Sequence, residues 1–215
     1  GPWYILMDEF LVSGETMIRD LEKGLDRAAC FGGAMDVGYL PDMFGHVAQM
    51  PQILRQFGFE HAVVWRGVPA AIGRSAFWWE APDGSVVRAE YLPEGYGNGS
   101  VLPMEAKDLV ARMATFVERY GAMLDGPDAG AAAGSGVGAG RPGGGASVEP
   151  GPILWMNGTD HQVPMPWLGH VVDEVNRAQD DYELRVGSLA EHLAGAPTSG
   201  LPTWRGELRS GAHAN

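Results

Sequence analysis

Asp42 stands in the run Gly38-Tyr39-Leu40-Pro41-Asp42-Met43-Phe44-Gly45-His46, directly after an apolar, strand-like stretch. A carboxylate just beyond a strand, on a turn bounded by Pro41 and Gly45, is presented at the rim of a sheet. That rim is where α/β enzymes keep their reactive groups. Two further apolar stretches end in a similar way. Ala62–Trp65 leads into Arg66, and Ile153–Met156 leads into Asn157-Gly158-Thr159-Asp160-His161. In a parallel sheet the C-terminal strand ends share one edge, so Asp42, Arg66 and Asp160 would meet there although they are far apart in sequence. Two carboxylates are the minimum set for glycoside hydrolysis by a nucleophile or base and an acid, and here an arginine would join them.

Each residue also has a plainer role. Asp after Pro is common in tight turns, and an Arg after a strand is often a surface ion-pair partner. Gly158-Thr159-Asp160-His161 also reads as a capping turn into a helix beginning near Pro166. Phe44 is either a core aromatic or a wall beneath a sugar ring, and His161 is either a loop residue or a metal donor. His46, at a helix start, is read as structural, and Asp8 and Glu9 as hydrogen-bond acceptors near the site. The residue types alone leave these alternatives open.

The elements that must position these groups alternate. Trp3–Met7, Met35–Tyr39 and Ala62–Trp65 read as short strands. Between them, Met17, Ile18, Leu21, Leu25 and Ala28 recur at helical spacing, with Ser13 as N-cap and Gly32-Gly33 as stop; Ala48–Phe57 gives a second helix ended by Gly58. Strand-helix repetition of this kind predicts an α/β fold, a mostly parallel sheet with covering helices, resembling an incomplete, distorted β/α barrel. Trp78-Trp79-Glu80 and Val86–Leu92, separated by Pro82-Asp83-Gly84, read as a hairpin insertion. Glu105–Tyr120 and Pro166–Gln179 read as helices, Glu183–Val186 as a short strand, and Ser188–Leu193 as a helix start. Ten of the 32 glycines fall in Gly126–Gly151, a composition that offers little to bury and reads as a flexible surface loop. Its Gly-Ser-Gly-Val-Gly-Ala-Gly lacks the flanking strand and helix of a phosphate loop.

The 215 residues suffice for one substantial core, and 45% hydrophobic with 20% charged residues describes an ordinary globular chain. A net charge of −12 argues against nucleic acid and anionic membranes as partners. Cys30 stands alone, which suits a reducing compartment, and no signal peptide or membrane-spanning run is evident, so a cytoplasmic location is expected.

The run at Asp42 resembles Asp-Pro-Phe-Gly-His, the most distinctive motif of the glycoside hydrolase family 38 α-mannosidases, with Met43 in place of Pro. Trp3-Tyr4-Ile5-Leu6-Met7-Asp8-Glu9 looks like that family's apolar strand ending in Asp-Glu, and Met50–Phe59 looks like the segment after its nucleophile. Val64-Trp65-Arg66-Gly67 falls where the family has a substrate-site arginine, and Trp204–Gly211 resembles the stretch leading out of the catalytic domain in bacterial members. The likeness is dense over residues 1–70 and patchy to 215.

What the resemblance implies is a zinc-dependent, retaining hydrolase of terminal α-mannosides acting on a mannose-containing oligosaccharide or glycoside. Asp42 would be nucleophile and zinc ligand, Asp160 the acid/base, Phe44 and Arg66 sugar contacts, and His161 a candidate second zinc donor. Family members carry a His-x-Asp zinc pair on their first strand; none occurs here, so the Zn2+ site is incomplete and the chain reads as an internal piece. Residues 1–195 would be a partial α/β catalytic domain with the insertion 126–151, and 196–215 an exit segment toward a helical domain. Two rival functions stay open: a metal-dependent deacetylase on a related α/β scaffold, and a non-catalytic sugar-binding module.

Overall fold

The computed structural model describes residues 1–124 and 152–211; the glycine-rich run 126–151 lies outside them. Helix α1 is Gly14–Ala29, followed by strand β1 (Val37–Leu40), helix α2 (Met50–Gln56) and strand β2 (His61–Val64). Strands β3 (Ala76–Glu80) and β4 (Val86–Tyr91) precede helices α3 (Ala106–Leu124), α4 (Leu168–Ala178) and α5 (Leu189–Gly195) and strand β5 (Thr203–Arg205). They form one open sheet in the order β1-β2-β4-β3-β5. Among these strands of the described residues only the β3/β4 pair is antiparallel; β1/β2, β2/β4 and β3/β5 are parallel. The expected α/β class, mostly parallel with covering helices, is what the chain adopts.

Local chemistry sets the element ends. The Ser13 hydroxyl accepts the Thr16 N–H at the start of α1, a cap worth about 1 kcal/mol. At α5, Ser188 and Glu191 exchange hydrogen bonds in a capping box. The β3–β4 turn is held by Asp83, whose carboxylate accepts from the Ser85 N–H.

Side-chain alternation along the strands builds two cores. One face carries Leu40, Ala62, Val64, Phe77, Trp79, Val87 and Ala89 and is covered by Met17 and Leu21 of α1 and Met50, Ile53 and Leu54 of α2. The other face carries Val37 and Val63, which pack with Leu189 and Leu193 of α5. A satellite cluster joins α3 to α4 through Leu109, Met113, Val171 and Val175. Among the described residues no helix is long and apolar enough to cross a membrane.

Three expected strands are not formed. Trp3–Met7 runs beside α1 instead: the Tyr4 N–H goes to the Asp20 carbonyl and the Ile5 N–H to the Asp20 carboxylate. Residues 153–156 and 183–186 are extended but pair with side chains. The Asn98 carboxamide takes the Leu154 carbonyl and Met156 N–H, and that of Asn176 takes both peptide groups of Leu184. The hairpin, read as an insertion, lies inside the sheet, because β4 pairs in parallel with β2 along His61–Val64.

Candidate active site

Three parallel strands, β1, β2 and β4, direct their C-terminal ends to one edge, and each is followed there by a polar side chain. Asp42 lies two residues beyond β1, Arg66 two beyond β2, and Tyr96 five beyond β4. Arg66 grips Asp42 at one oxygen: Nε is 2.9 Å and Nη2 2.8 Å from Oδ1. The guanidinium lies 3.9 Å from the Trp65 ring centre and 4.5 Å from that of Phe44. Stacking between two aromatic planes fixes its fork, a geometry open to Arg and not to Lys. The pair is accessible, with side-chain exposures of 12% for Arg66 and 35% for Asp42. Phe44 is exposed at 39%, as a wall for a bound ring requires, whereas its neighbour Met43 is buried in the core.

Asp160 reaches the same place by a different route. The Tyr96 hydroxyl donates to Asp160 Oδ2 at 3.2 Å, and its ring packs edge-on against Trp65 at 5.4 Å. Partial burial and then the nearby carboxylates of Asp42 and Asp160 hold the Tyr96 phenol above its ordinary range, so it stays protonated and a donor at neutral pH. Tyr96 thus senses both carboxylates and stands between the two halves of the cluster.

The loops carrying these groups are braced from behind. His46 is fully buried; its Nδ1 lies 2.6 Å from Glu9 Oε1, and Glu9 Oε2 accepts the Val47 N–H. Both residues serve the scaffold, as their positions suggested. The returning segment at 206–210 pairs its Leu208 backbone with His46 and its Ser210 N–H with the Gly67 carbonyl. Gly67 has a positive φ of 87°, and a Cβ there would run into the Leu208 carbonyl. Only glycine therefore lets the Arg66 loop close against that brace.

Asp42, Phe44, Arg66 and Asp160, the residues expected at this edge, all lie here, together with Tyr96, which no sequence pattern marks. His161 is exposed, with a positive φ of 58°. Among the described residues no group of three or more His, Cys, Asp or Glu side chains is placed to hold a metal ion. These residues by themselves do not fit the zinc site that the resemblance implies.

The glycosyl hydrolases family 38 N-terminal domain model matches residues 1–207. The chain belongs to glycoside hydrolase family 38. A Halalkalibacterium halodurans protein named "Putative mannosylglycerate hydrolase" is 34% identical over 178 residues, 75% of this chain and 17% of that protein. Mouse alpha-mannosidase 2C1 is 35% identical over 107 residues, 47% of this chain and 10% of its own length. The crystal structure of an alpha-mannosidase from Enterococcus faecalis V583 superposes with a TM-score of 0.77 at 26% identity, covering 97% of this chain and 22% of that one. The family 38 chain therefore spans less than a quarter of the length of these relatives.

Proposed function

We propose that the full-length protein hydrolyses terminal α-mannosides with retention of configuration. In this reading Asp42 attacks the anomeric carbon, and Asp160 gives a proton to the leaving glycosidic oxygen. The covalent mannosyl ester on Asp42 is then cleaved by water, with Asp160 taking the water's proton. Arg66, already hydrogen-bonded to Asp42 Oδ1, orients the nucleophile, and Phe44 offers its face to the sugar ring. The observation that supports this most is the Tyr96 hydroxyl, hydrogen-bonded to one carboxylate and within electrostatic reach of the other. Retention calls for a carboxyl separation of about 5–5.5 Å in the complete enzyme.

Zinc at Asp42 belongs to the same proposal. The metal would supply Lewis-acid polarisation of sugar hydroxyls, and of this chain's described residues Asp42 would be the donor, with the others drawn from elsewhere in the full-length protein.

The test is the anomer of mannose released first from an aryl α-mannoside, followed by proton NMR before mutarotation. α-Mannose is expected. β-Mannose would reassign Asp42 as a base, and absence of any mannose would favour the deacetylase or the sugar-binding module. The name of the Halalkalibacterium relative makes mannosylglycerate the first natural substrate to try.

A further inference from the structure

Among the described residues the segment that delivers Asp160 has no strand neighbour, yet it holds an extended path beside the Tyr96 loop. One side chain does the work of the missing strand. Asn98 is buried at 3% exposure, and its Nδ2 donates to the Leu154 carbonyl at 3.1 Å while its Oδ1 accepts the Met156 N–H at 2.7 Å. Its carboxamide thus pairs with both peptide groups as a neighbouring strand would. The joint continues on either side: the Gly99 N–H donates to the Met156 carbonyl at 3.0 Å, and Asn157 Nδ2 donates to the Gly99 carbonyl at 2.8 Å.

The other side of Asn98 is fixed just as firmly. Arg112, on α3, donates to the carbonyls of Asn98, Ser100 and Val101 at 2.8–3.1 Å. Val101 has a positive φ of 49°, a costly conformation for a β-branched residue, which the arginine's grip on the surrounding carbonyls sustains. Asn98 lies two residues from Tyr96, and Met156 lies four from Asp160. The hydroxyl–carboxylate contact of 3.2 Å is therefore set at its far end by the Asn98 clamp.

We propose that Asn98 is a positioning residue for the acid/base: it fixes Asp160 against Tyr96 and the sugar's leaving oxygen without touching substrate. The inference rests on the reading of Asp160 as acid/base. A proton donor displaced by about 1 Å costs on the order of 10²-fold in rate, and only where protonation is needed.

The experiment measures kcat/KM in the full-length enzyme for a series of aryl α-mannosides of falling leaving-group acidity. For Asn98→Ala we expect a loss of about 10²-fold on 4-methylphenyl mannoside and less than about threefold on 2,4-dinitrophenyl mannoside, whose leaving group departs unprotonated. Asp160→Asn should show a slope of the same sign, and steeper. A flat Asn98→Ala profile beside a steep Asp160→Asn profile would overturn the positioning role alone. A flat Asp160→Asn profile would overturn the acid assignment and this inference with it. Should Asn98→Ala not fold, Arg112→Gln, which loosens the same clamp from α3, must reproduce the slope at about tenfold amplitude; a flat profile there would overturn the inference.

Discussion

Two arginine–carboxylate pairs of the same length, 2.8 Å, lie on neighbouring parts of the sheet, and only one is open to a ligand. Arg66–Asp42 sits at the C-terminal edge with exposures of 12% and 35%. Arg88–Glu90 lies within β4, under the segment that follows α5, with exposures of 2% and 5%. Arg88 spends Nε on the Pro197 carbonyl at 3.0 Å, so it ties the segment after α5 to the sheet. Burial pushes Glu90 up to about 7 against the pull of Arg88, and burial with Arg88 pushes His61 and His192 down. The closed cluster thus holds perturbed groups with no catalytic geometry around them, while the open one, where Tyr96 is also shifted, has aromatic walls and carboxylates arriving from separate loops. In this chain accessibility and convergence, more than perturbation, mark the site.

The largest effect is expected at Asp42. Asp42→Asn in the full-length enzyme should abolish turnover, leaving far less than a tenth of wild-type activity on an activated aryl mannoside. Its melting temperature should move little, because a partly exposed pair contributes about 1 kcal/mol or less. Arg88→Met should do the reverse for stability. Removing one partner of a buried pair costs about 3–5 kcal/mol, which at this size lowers the melting temperature by roughly 10 °C. Thermal unfolding of the two variants side by side checks both, and equal shifts would erase the distinction.

A smaller effect separates the closed cluster by pH. Because the folded state lowers the pKa of His192, its share of stability is complete above the ordinary value of about 6.5 and is lost as pH falls below it. His192→Asn should therefore retain more of its pH 7.5 stability at pH 5.5 than wild type does. Glu90 acts oppositely: its raised pKa makes stability fall as pH rises from 4.5 through about 7. Glu90→Gln, lacking that slope, should gain on wild type between pH 5 and 7 in melting temperature. A pH-independent difference for both variants would mean that the cluster titrates normally.

The smallest expected signal is zinc on the 215-residue chain. Asp42 is the one donor that the proposal draws from the described residues, and a catalytic site takes about three protein ligands. Plasma-emission analysis after dialysis should find well under one zinc per chain, whereas a tightly held stoichiometric ion would require a ligand set other than the one proposed.

Much of this was legible in residue order. Ser13, Ser188 and the Asp83 turn announce element ends because caps act within four residues. β1 and β2, apolar runs ending in Asp42 and Arg66, point to the sheet edge that carries the candidate site. The hidden parts depend on side chains replacing backbone. Asp20, Asn98 and Asn176 satisfy the peptide groups of apolar runs that period alone assigns to strands. Tyr96 escaped because β3 and β4 read as a peripheral hairpin; only the β2/β4 pairing shows that Tyr96 follows a strand parallel to β1 and β2. Strand β5, with three residues, carried no periodicity.

The central claim, that Asp42 forms a covalent bond with the sugar while the equally short Arg88–Glu90 pair is structural, has a direct test. The full-length enzyme is incubated with 5-fluoro-α-mannosyl fluoride, digested and mapped by mass spectrometry. One fluoromannosyl adduct on the peptide containing Asp42 is predicted, with none in Asp42→Asn. An inactivated enzyme labelled at another carboxylate, or turnover of aryl mannosides without any trapped adduct, would contradict it.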